Sequence, residues 1–227
     1  KLLMSYFKIK SYAKINLALN VVGKTHSLHK IESIISFLDL HDQISVRKIK
    51  NKNHKIRFIG KFSNNIKSKN TVSKLLESID KKKLLKDKLQ IIIKKNIPSK
   101  AGMGGGSMNA ANIFNFLIKK KLIKIKKKNI IEISNLIGSD VVLGIYSKNL
   151  ILRSDNSIKT FSIQKKIYTL VVKPDFGCST KKIYSEVRKF TKIRFNFTSK
   201  HMLSMDFLKK MKNDLEIIAL NKYPKLN

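Results

Sequence analysis

Apolar residues occupy every odd position along residues 13–21, AKINLALNV, and the even positions are polar except for Ala18. The even positions include Lys14 and Asn16. A period of two is typical of a β-strand with one buried face. The pattern therefore predicts a half-buried strand whose polar face presents an ammonium group beside an amide.

More strands and one helix are predicted along the first half of the chain. Residues 29–40 predict a second strand that ends at the polar pair His41 and Asp42. QISVRKI and KIRFIG predict two further strands in a hairpin or a meander. Apolar residues at helical spacing in NTVSKLLESIDKKKLLK predict a helix with Asn70 as its N-cap. The β-branched run KLQIIIKKNI then predicts a strand closed by Pro98.

A glycine-rich loop separates this strand from the next predicted helix. Residues 97–114, IPSKAGMGGGSMNAANIF, hold four of the chain's nine glycines and one of its 44 lysines. Strand, glycine loop and helix together are typical of phosphate binding, because backbone N–H groups converge there and the helix dipole adds positive potential. The loop lacks the lysine of a Walker P-loop and does not fit G-x-G-x-x-G. On its own it is equally compatible with a flexible surface turn.

The second half of the chain predicts helices, then strands, then helices again. SMNAANIFNFLIKKKLI and KNIIEISNLIGSD predict two helices, the second closed by Gly138. VVLGIYS, LILRSD, SIKTFSI and IYTLVVKPDFG predict strands, and residues 180–222 predict mostly helix. We expect a domain boundary near residue 164, which gives domains 1–164 and 165–227.

Composition indicates a globular protein with few special constraints. The 227 residues are 42% hydrophobic, enough for one large or two small domains with a sizeable core. No apolar run approaches the roughly 20 residues of a membrane span, and the N-terminal segment lacks a secretory signal pattern. The single cysteine, Cys178, excludes an internal disulfide framework and fits a reducing compartment. We therefore expect a cytoplasmic protein that has no membrane partner.

The net charge of +35 raises the alternative of a nucleic-acid-binding protein. Lysine outnumbers arginine 44 to 5, and the lysine runs fall where helix ends and loops are predicted. Lysine, isoleucine and asparagine all have A/T-rich codons, so a biased genome accounts for a diffuse lysine coat. We expect no specific nucleic-acid partner.

Four stretches resemble the motifs of one enzyme family. PSKAGMGGGSMNAA resembles the P-x-x-x-G-L-G-[GS]-S-[SA] loop of the GHMP small-molecule kinases. Residues 11–44 resemble the opening of the 4-diphosphocytidyl-2-C-methyl-D-erythritol kinases within that superfamily, where A-K-I-N-L and G-Y-H precede F-L-D-L-x-D. IGSDVV and NDLE resemble two later motifs of the same family. Their order and approximate spacing agree over residues 8–224.

The resemblance implies a fold and a reaction. The expected fold is α+β, with an N-terminal domain like domain 2 of ribosomal protein S5 and a ferredoxin-like C-terminal domain. A glycine-rich motif near the family's C-terminus has no counterpart before Asn227, so we expect the second domain to be incomplete. The implied reaction is ATP-dependent phosphorylation of the 2-hydroxyl of 4-diphosphocytidyl-2-C-methyl-D-erythritol in isoprenoid precursor synthesis, with Mg²⁺. Another GHMP kinase and a basic RNA-binding protein with the same N-terminal fold stay as alternatives, and the oligomeric state is open.

The resemblance also assigns roles by matched position. Lys14 and Asp140 are expected to be catalytic, and a Lys–Asp pair suits phosphoryl transfer because the ammonium keeps the carboxylate ionised and offsets developing charge. Asn16, His29 and Thr180 are expected to bind the substrate. The residues expected to hold the ATP phosphates are Gly102, Gly104, Gly105, Gly106 and Ser107, and the Ser107 hydroxyl is also a candidate for Mg²⁺. The family's aromatic residue before the histidine is Leu28 here, which removes a ring that could stack on cytosine.

Overall fold

The computed structural model describes residues 5–26, 28–162 and 167–226. They form two compact units, the first made of residues 5–13, 38–99 and 103–147 and the second of the remaining described residues. The predicted boundary near residue 164 falls within 163–166, outside the described residues, and stays a prediction.

Two long strands begin the fold, and each contributes residues to both units. Strand β1 is Phe7–Lys24 and strand β2 is His29–Ile49, and the two pair with each other. The strand predicted over 13–21 is confirmed as part of β1. Its even face is largely buried, however, because Lys14 is only 6% exposed and Ala18 and Asn20 are also buried, while Asn16 is half-buried. The strand predicted to be half-buried is therefore more buried on its even face than the alternation indicates.

In the first unit, strand β4 (Lys88–Lys94) lies between β3 (Lys55–Ile59) and β2. Residues 43–49 of β2 pair with β4 antiparallel, whereas β3 pairs with β4 in parallel. The predicted strand end at His41 and Asp42 is wrong, and β2 and β3 form neither a hairpin nor a meander, because β4 lies between them. Asp42 does not end β2, because its carboxylate is fully buried and accepts several hydrogen bonds.

Four helices pack in the first unit: α1 (Thr71–Lys81), α2 (Gly105–Lys119), α3 (Lys127–Ile137) and α4 (Val141–Tyr146). Asn70 caps α1 as predicted, in a capping box with Ser73. The strand predicted for VVLGIYS is wrong, since this segment is α4. Gly144 brings α4 so close to α2 that an added Cβ would lie 2.6 Å from the Cβ of Ala111. Tertiary packing therefore overrides the β-branched composition of this short run.

In the second unit, β5 (Leu150–Leu152) pairs with residues 33–35 of β2 and with β6 (Ile158–Thr160). The helices are α5 (Thr180–Tyr184), α6 (Met205–Leu208) and α7 (Glu216–Lys222), with 3₁₀ turns at Lys200–Leu203 and Pro224–Leu226. The strand predicted over 167–177 is wrong, since no strand occurs within those described residues. Residues 180–222 contain only short helices rather than mostly helix. The core includes Ala18, Ile34, Ile151, Phe161, Phe195 and Met202.

Two carboxylates fix β1 within the second unit. Glu32 is fully buried and accepts hydrogen bonds from the Asn20 side chain at 2.9 Å and from the backbone N–H groups of Arg194 and Phe195 at 2.8 and 3.0 Å. Asp214, in the NDLE motif, accepts hydrogen bonds from the Val21 N–H group and the Thr191 hydroxyl, both at 2.7 Å. The NDLE motif therefore has a structural role, because it holds the strand that carries Lys14.

No helix within the described ranges is long and apolar enough to span a membrane.

Candidate active site

The glycine loop leads directly into the first turn of α2. Gly104 precedes the helix in the left-handed conformation, with φ of 65°, and Gly102 also has a positive φ of 70°. Glycine adopts this region without the steric cost that other residues incur. Among the described residues, no side chain caps the N-terminus of α2. The first N–H groups of a 15-residue helix therefore point out of the loop without a capping side chain.

Close packing beneath the loop explains two further glycines. A Cβ added at Gly105 would lie 3.0 Å from the Ile97 side chain and 3.1 Å from the Lys95 ammonium nitrogen. At Gly106 it would lie 3.3 Å from the hydroxyl of Thr71, and that hydroxyl donates a hydrogen bond of 2.6 Å to the Gly106 carbonyl. Gly105 and Gly106 therefore stand where neighbouring side chains already fill the space that a Cβ atom would occupy.

A buried carboxylate that sequence reasoning did not single out lies below this loop. Asp42 accepts hydrogen bonds from the backbone N–H groups of Asn96 and Ile97, each at 2.8 Å, and from the Asn109 side chain at 2.9 Å. It also forms an ion pair with Lys95, whose side chain is 5% exposed. Asp42 is the last residue of FLDLHD, so the motif itself was the available signal.

Asp140 belongs to the same unit as the start of α2. It immediately precedes α4, and its carboxylate makes no capping bond to that helix among the described residues. Two residues earlier, an added Cβ at Gly138 would lie 4.0 Å from the Ser107 hydroxyl oxygen. The structure therefore brings the IGSD segment against the first turn of α2, where the expected ATP-binding residues Gly104, Gly105, Gly106 and Ser107 lie.

Lys14 and Asn16 lie together in the second unit. The Lys14 ammonium donates a 3.4 Å hydrogen bond to the Asn16 side-chain oxygen, so the two share a strand face as the alternation predicts. Lysine is rarely buried unless it is paired, and Lys14 is only 6% exposed. These observations distinguish Lys14 from the solvated lysines that dominate the composition.

His29 and Thr180 are also associated in the second unit, through α5. The His29 ring lies 5.2 Å from the Tyr184 ring, and Thr180 is one turn from Tyr184 on the same helix. His29 Nε2 is buried without a hydrogen-bond partner among the described residues. Burial lowers the pKa of His29, and the charge of Lys24 lowers it further. Tyr184 was not predicted as a site residue, since no spacing along the sequence links it to His29.

No group of three or more His, Cys, Asp and Glu side chains that could hold a metal ion occurs in the part of the chain that the structure describes.

Comparison with known proteins identifies the family. Residues 69–148 match the model for the GHMP kinases N terminal domain. A 4-diphosphocytidyl-2-C-methyl-D-erythritol kinase of Pelagibacter ubique (strain HTCC1062) is 58% identical over 224 residues, which make up 98% of this chain and 80% of the relative. The same-named enzyme of Clostridium tetani (strain Massachusetts / E88) is 32% identical over 225 residues, 94% of this chain and 78% of the relative.

Solved structures agree with the fold predicted from the sequence. A crystal structure of 4-(cytidine 5'-diphospho)-2C-methyl-D-erythritol kinase matches with a TM-score of 0.70 at 19% identity, covering 97% of this chain and 80% of that one. A homoserine kinase from Cytophaga hutchinsonii matches with a TM-score of 0.55 at 15% identity, covering 84% of this chain and 62% of that one. The α+β GHMP kinase fold is therefore confirmed. The chain belongs to the 4-diphosphocytidyl-2-C-methyl-D-erythritol kinase family of the GHMP kinases.

Proposed function

We propose that this kinase transfers the γ-phosphoryl group of ATP to the 2-hydroxyl of 4-diphosphocytidyl-2-C-methyl-D-erythritol, the compound after which its relatives are named. ATP use follows from membership of the GHMP kinases. The observation that carries the proposal is the loop between β4 and α2, where left-handed glycines lead into an uncapped helix N-terminus. Isoprenoid precursor synthesis is the pathway that consumes such a product.

The phosphates of ATP would be held by the backbone from Gly102 to Ser107. The N–H groups of the first turn of α2 have no intrahelical partner, and the helix dipole favours negative charge there. Because no side chain caps this end of α2 among the described residues, a phosphate oxygen can approach the N–H groups directly. The Ser107 hydroxyl adds a hard oxygen donor of the kind that Mg²⁺ binds alongside phosphates and water. Bound there, Mg²⁺ would offset the charge of the β- and γ-phosphates.

Lys14 and Asp140 are assigned to the chemical step. The substrate 2-hydroxyl oxygen attacks the γ-phosphorus, the bond between that phosphorus and ADP breaks, and the hydroxyl proton passes to the Asp140 carboxylate. The Lys14 ammonium offsets negative charge as it develops on the attacking oxygen. Asn16 is assigned to substrate binding beside the reacting hydroxyl, and its side-chain oxygen also accepts a hydrogen bond from the Lys14 ammonium.

The cytidine end of the substrate is assigned to His29, Tyr184 and Thr180. His29 Nε2 is a buried polar atom without a partner among the described residues, and a ligand hydrogen bond would satisfy it. The Tyr184 ring, 5.2 Å from His29, supplies an aromatic face beside this histidine, which Leu28 precedes in the sequence. Thr180 is exposed at the start of α5 and offers a hydroxyl for the substrate.

The remaining assignments concern location and partners. The cytoplasmic location expected from the single cysteine, Cys178, stays a prediction. Because the relatives are small-molecule kinases, the alternative of an RNA-binding protein is not favoured.

A turnover assay with three acceptors tests the function. The protein is incubated with ATP, Mg²⁺ and 4-diphosphocytidyl-2-C-methyl-D-erythritol, homoserine or mevalonate, and the products are identified by ³¹P NMR. We expect ADP and a new phosphomonoester with the cytidyl substrate alone. Phosphorylation of homoserine or mevalonate in preference to it would contradict the proposed substrate.

A further inference from the structure

Asp42 accepts hydrogen bonds from four donors, and none of them belongs to the residues assigned to the chemical step. Its carboxylate is fully buried, and one oxygen accepts the N–H groups of Asn96 and Ile97 while the other accepts Asn109 and the Lys95 ammonium. A carboxylate surrounded by four donors is strongly fixed in position, since each bond to a charged acceptor is stronger than a neutral one.

The donors come from both sides of the glycine loop. Lys95, Asn96 and Ile97 lie between the end of β4 and the loop, whereas Asn109 lies in the second turn of α2. Asp42 itself belongs to β2. One side chain therefore joins the segment entering the loop to the helix that leaves it.

The same network sets the contacts of the first turn of α2. The Lys95 nitrogen lies 3.1 Å from the Cβ position of Gly105, and the Ile97 side chain lies 3.0 Å from it. Asp42 fixes both of these neighbours, Lys95 through its ammonium and Ile97 through its N–H group. Any shift of Asp42 is thus transmitted to the backbone of Gly105.

We infer that Asp42 is a positioning residue for ATP, whose carboxylate fixes the glycine loop in the conformation that binds the phosphates. The inference rests on the proposed function, because it assumes that the loop binds ATP. Asp42 acts through Lys95, Ile97 and Asn109 and touches neither substrate. Displacing the groups that position a substrate by about 1 Å can lower the rate of an enzyme roughly 100-fold. A displaced glycine loop should therefore have a measurable effect.

The first test is Asp42→Asn in the full chain, measured by calorimetric titration with a non-hydrolysable ATP analogue. The amide oxygen can still accept the N–H groups of Asn96 and Ile97, but its NH₂ group then faces two other donors, Lys95 and Asn109. We expect the dissociation constant of the analogue to rise by roughly 10- to 100-fold, while the affinity for the cytidyl substrate stays unchanged.

A double variant separates positioning from charge. In Asp42→Asn with Lys95→Met, the ammonium donor is gone, and Asn109 can rotate its amide so that its oxygen, which has no partner among the described residues, accepts from the new amide. The amide introduced at position 42 and the Asn109 oxygen then satisfy each other without any charge, and the Asn109 NH₂ group takes the position where its oxygen had no partner among the described residues. We expect the affinity for the ATP analogue to recover to within about threefold of wild type.

Glu32→Gln is the matched control, since Glu32 is also a fully buried carboxylate that accepts two backbone N–H groups and a side-chain amide. Glu32→Gln should lower the melting temperature without weakening the binding of the ATP analogue. Should Asp42→Asn fail to fold, Asn109→Ala decides the matter, because it leaves the ion pair intact and removes only the link to α2. Asn109→Ala should raise the dissociation constant of the analogue by at least about threefold.

Three results would overturn the inference. These are unchanged analogue affinity in a folded Asp42→Asn, unchanged affinity in Asn109→Ala, and a double variant as weak as Asp42→Asn. The last result would mean that the Lys95 charge itself, rather than the geometry, is required. Failure of the wild-type protein to bind the analogue at all would instead refute the proposed function.

Discussion

Replacing Gly105 with alanine tests the argument that the first turn of α2 is bare because its surroundings are filled. Gly105 lies outside the left-handed region, so alanine can adopt its backbone conformation without strain. Alanine is also favoured over glycine in helices, by about 1 kcal/mol in a helix interior. Helix propensity alone therefore predicts that Gly105→Ala leaves the folding stability unchanged or raises it.

Packing predicts the opposite result. The new Cβ would lie 3.0 Å from the Ile97 Cγ2 atom and 3.3 Å from its Cβ, and Ile97 is fully buried. The third neighbour is the Lys95 ammonium at 3.1 Å, which is held by Asp42. Overpacking of this kind costs about 1–3 kcal/mol. Set against the propensity gain, the net destabilisation should be roughly 0–2 kcal/mol.

Gly105→Ala should change ATP binding more than it changes stability. The start of α2 must move by a few tenths of an ångström, and its N–H groups move with it. We expect the dissociation constant of a non-hydrolysable ATP analogue to rise by about 10-fold or more, measured by calorimetric titration beside a thermal melt. Gly23→Ala is the control, since its Cβ would meet Lys30 at an ordinary 3.8 Å. A Gly105→Ala protein that binds the analogue as tightly as wild type would refute the packing argument.

Three other measurements follow from the structure. Gly144→Ala should lower stability by about 1–3 kcal/mol in chemical denaturation, because its Cβ would lie 2.6 Å from Ala111; unchanged stability would count against the α2–α4 packing. The NMR titration midpoint of His29 should fall below 6.5, because burial and then the Lys24 charge lower its pKa, and a midpoint at or above 6.5 would contradict this. Since the folded pKa is depressed, the contribution of His29 to stability is present above pH 6.5 and is lost as the pH falls towards the folded pKa. RNA binding should weaken by about 10³-fold or more between 50 and 200 mM salt, whereas nanomolar binding at physiological salt would support a specific RNA partner.

The sequence predicted best those elements whose pattern is local. Strand β1, helix α1 with its Asn70 cap and helix α2 after the glycine loop follow from periodicity and capping chemistry, and the structure confirms them. The NDLE and FLDLHD motifs were recognised, but their structural roles were not. Asp42 bonds Asn96, which is 54 positions away, and Asp214 bonds Val21, which is 193 positions away, and no local pattern encodes such contacts.

The elements that were predicted wrongly also depend on contacts between residues distant in the sequence. The apolar run 141–147 has strand composition, yet it is a helix because Gly144 permits close contact with α2. Strand β2 continues through His41 and Asp42, because hydrogen bonds satisfy the buried Asp42 carboxylate within the strand. Lys14 shows the converse, because the lysine-rich composition of the chain predicts a solvated side chain, whereas Lys14 is only 6% exposed.

The central claim is that Asp140 assists the attack of the substrate hydroxyl on ATP. The most direct measurement is the turnover of the cytidyl substrate by Asp140→Asn, which keeps the size and one hydrogen-bonding oxygen but removes the charge. We expect kcat to fall by roughly 10²–10⁴ with the affinity for ATP nearly unchanged, because the carboxylate acts mainly in the transition state. Combining it with Lys14→Met should lose less than the product of the two single effects, since the pair acts as a unit. Wild-type turnover of the cytidyl substrate together with unimpaired turnover by Asp140→Asn would contradict the claim.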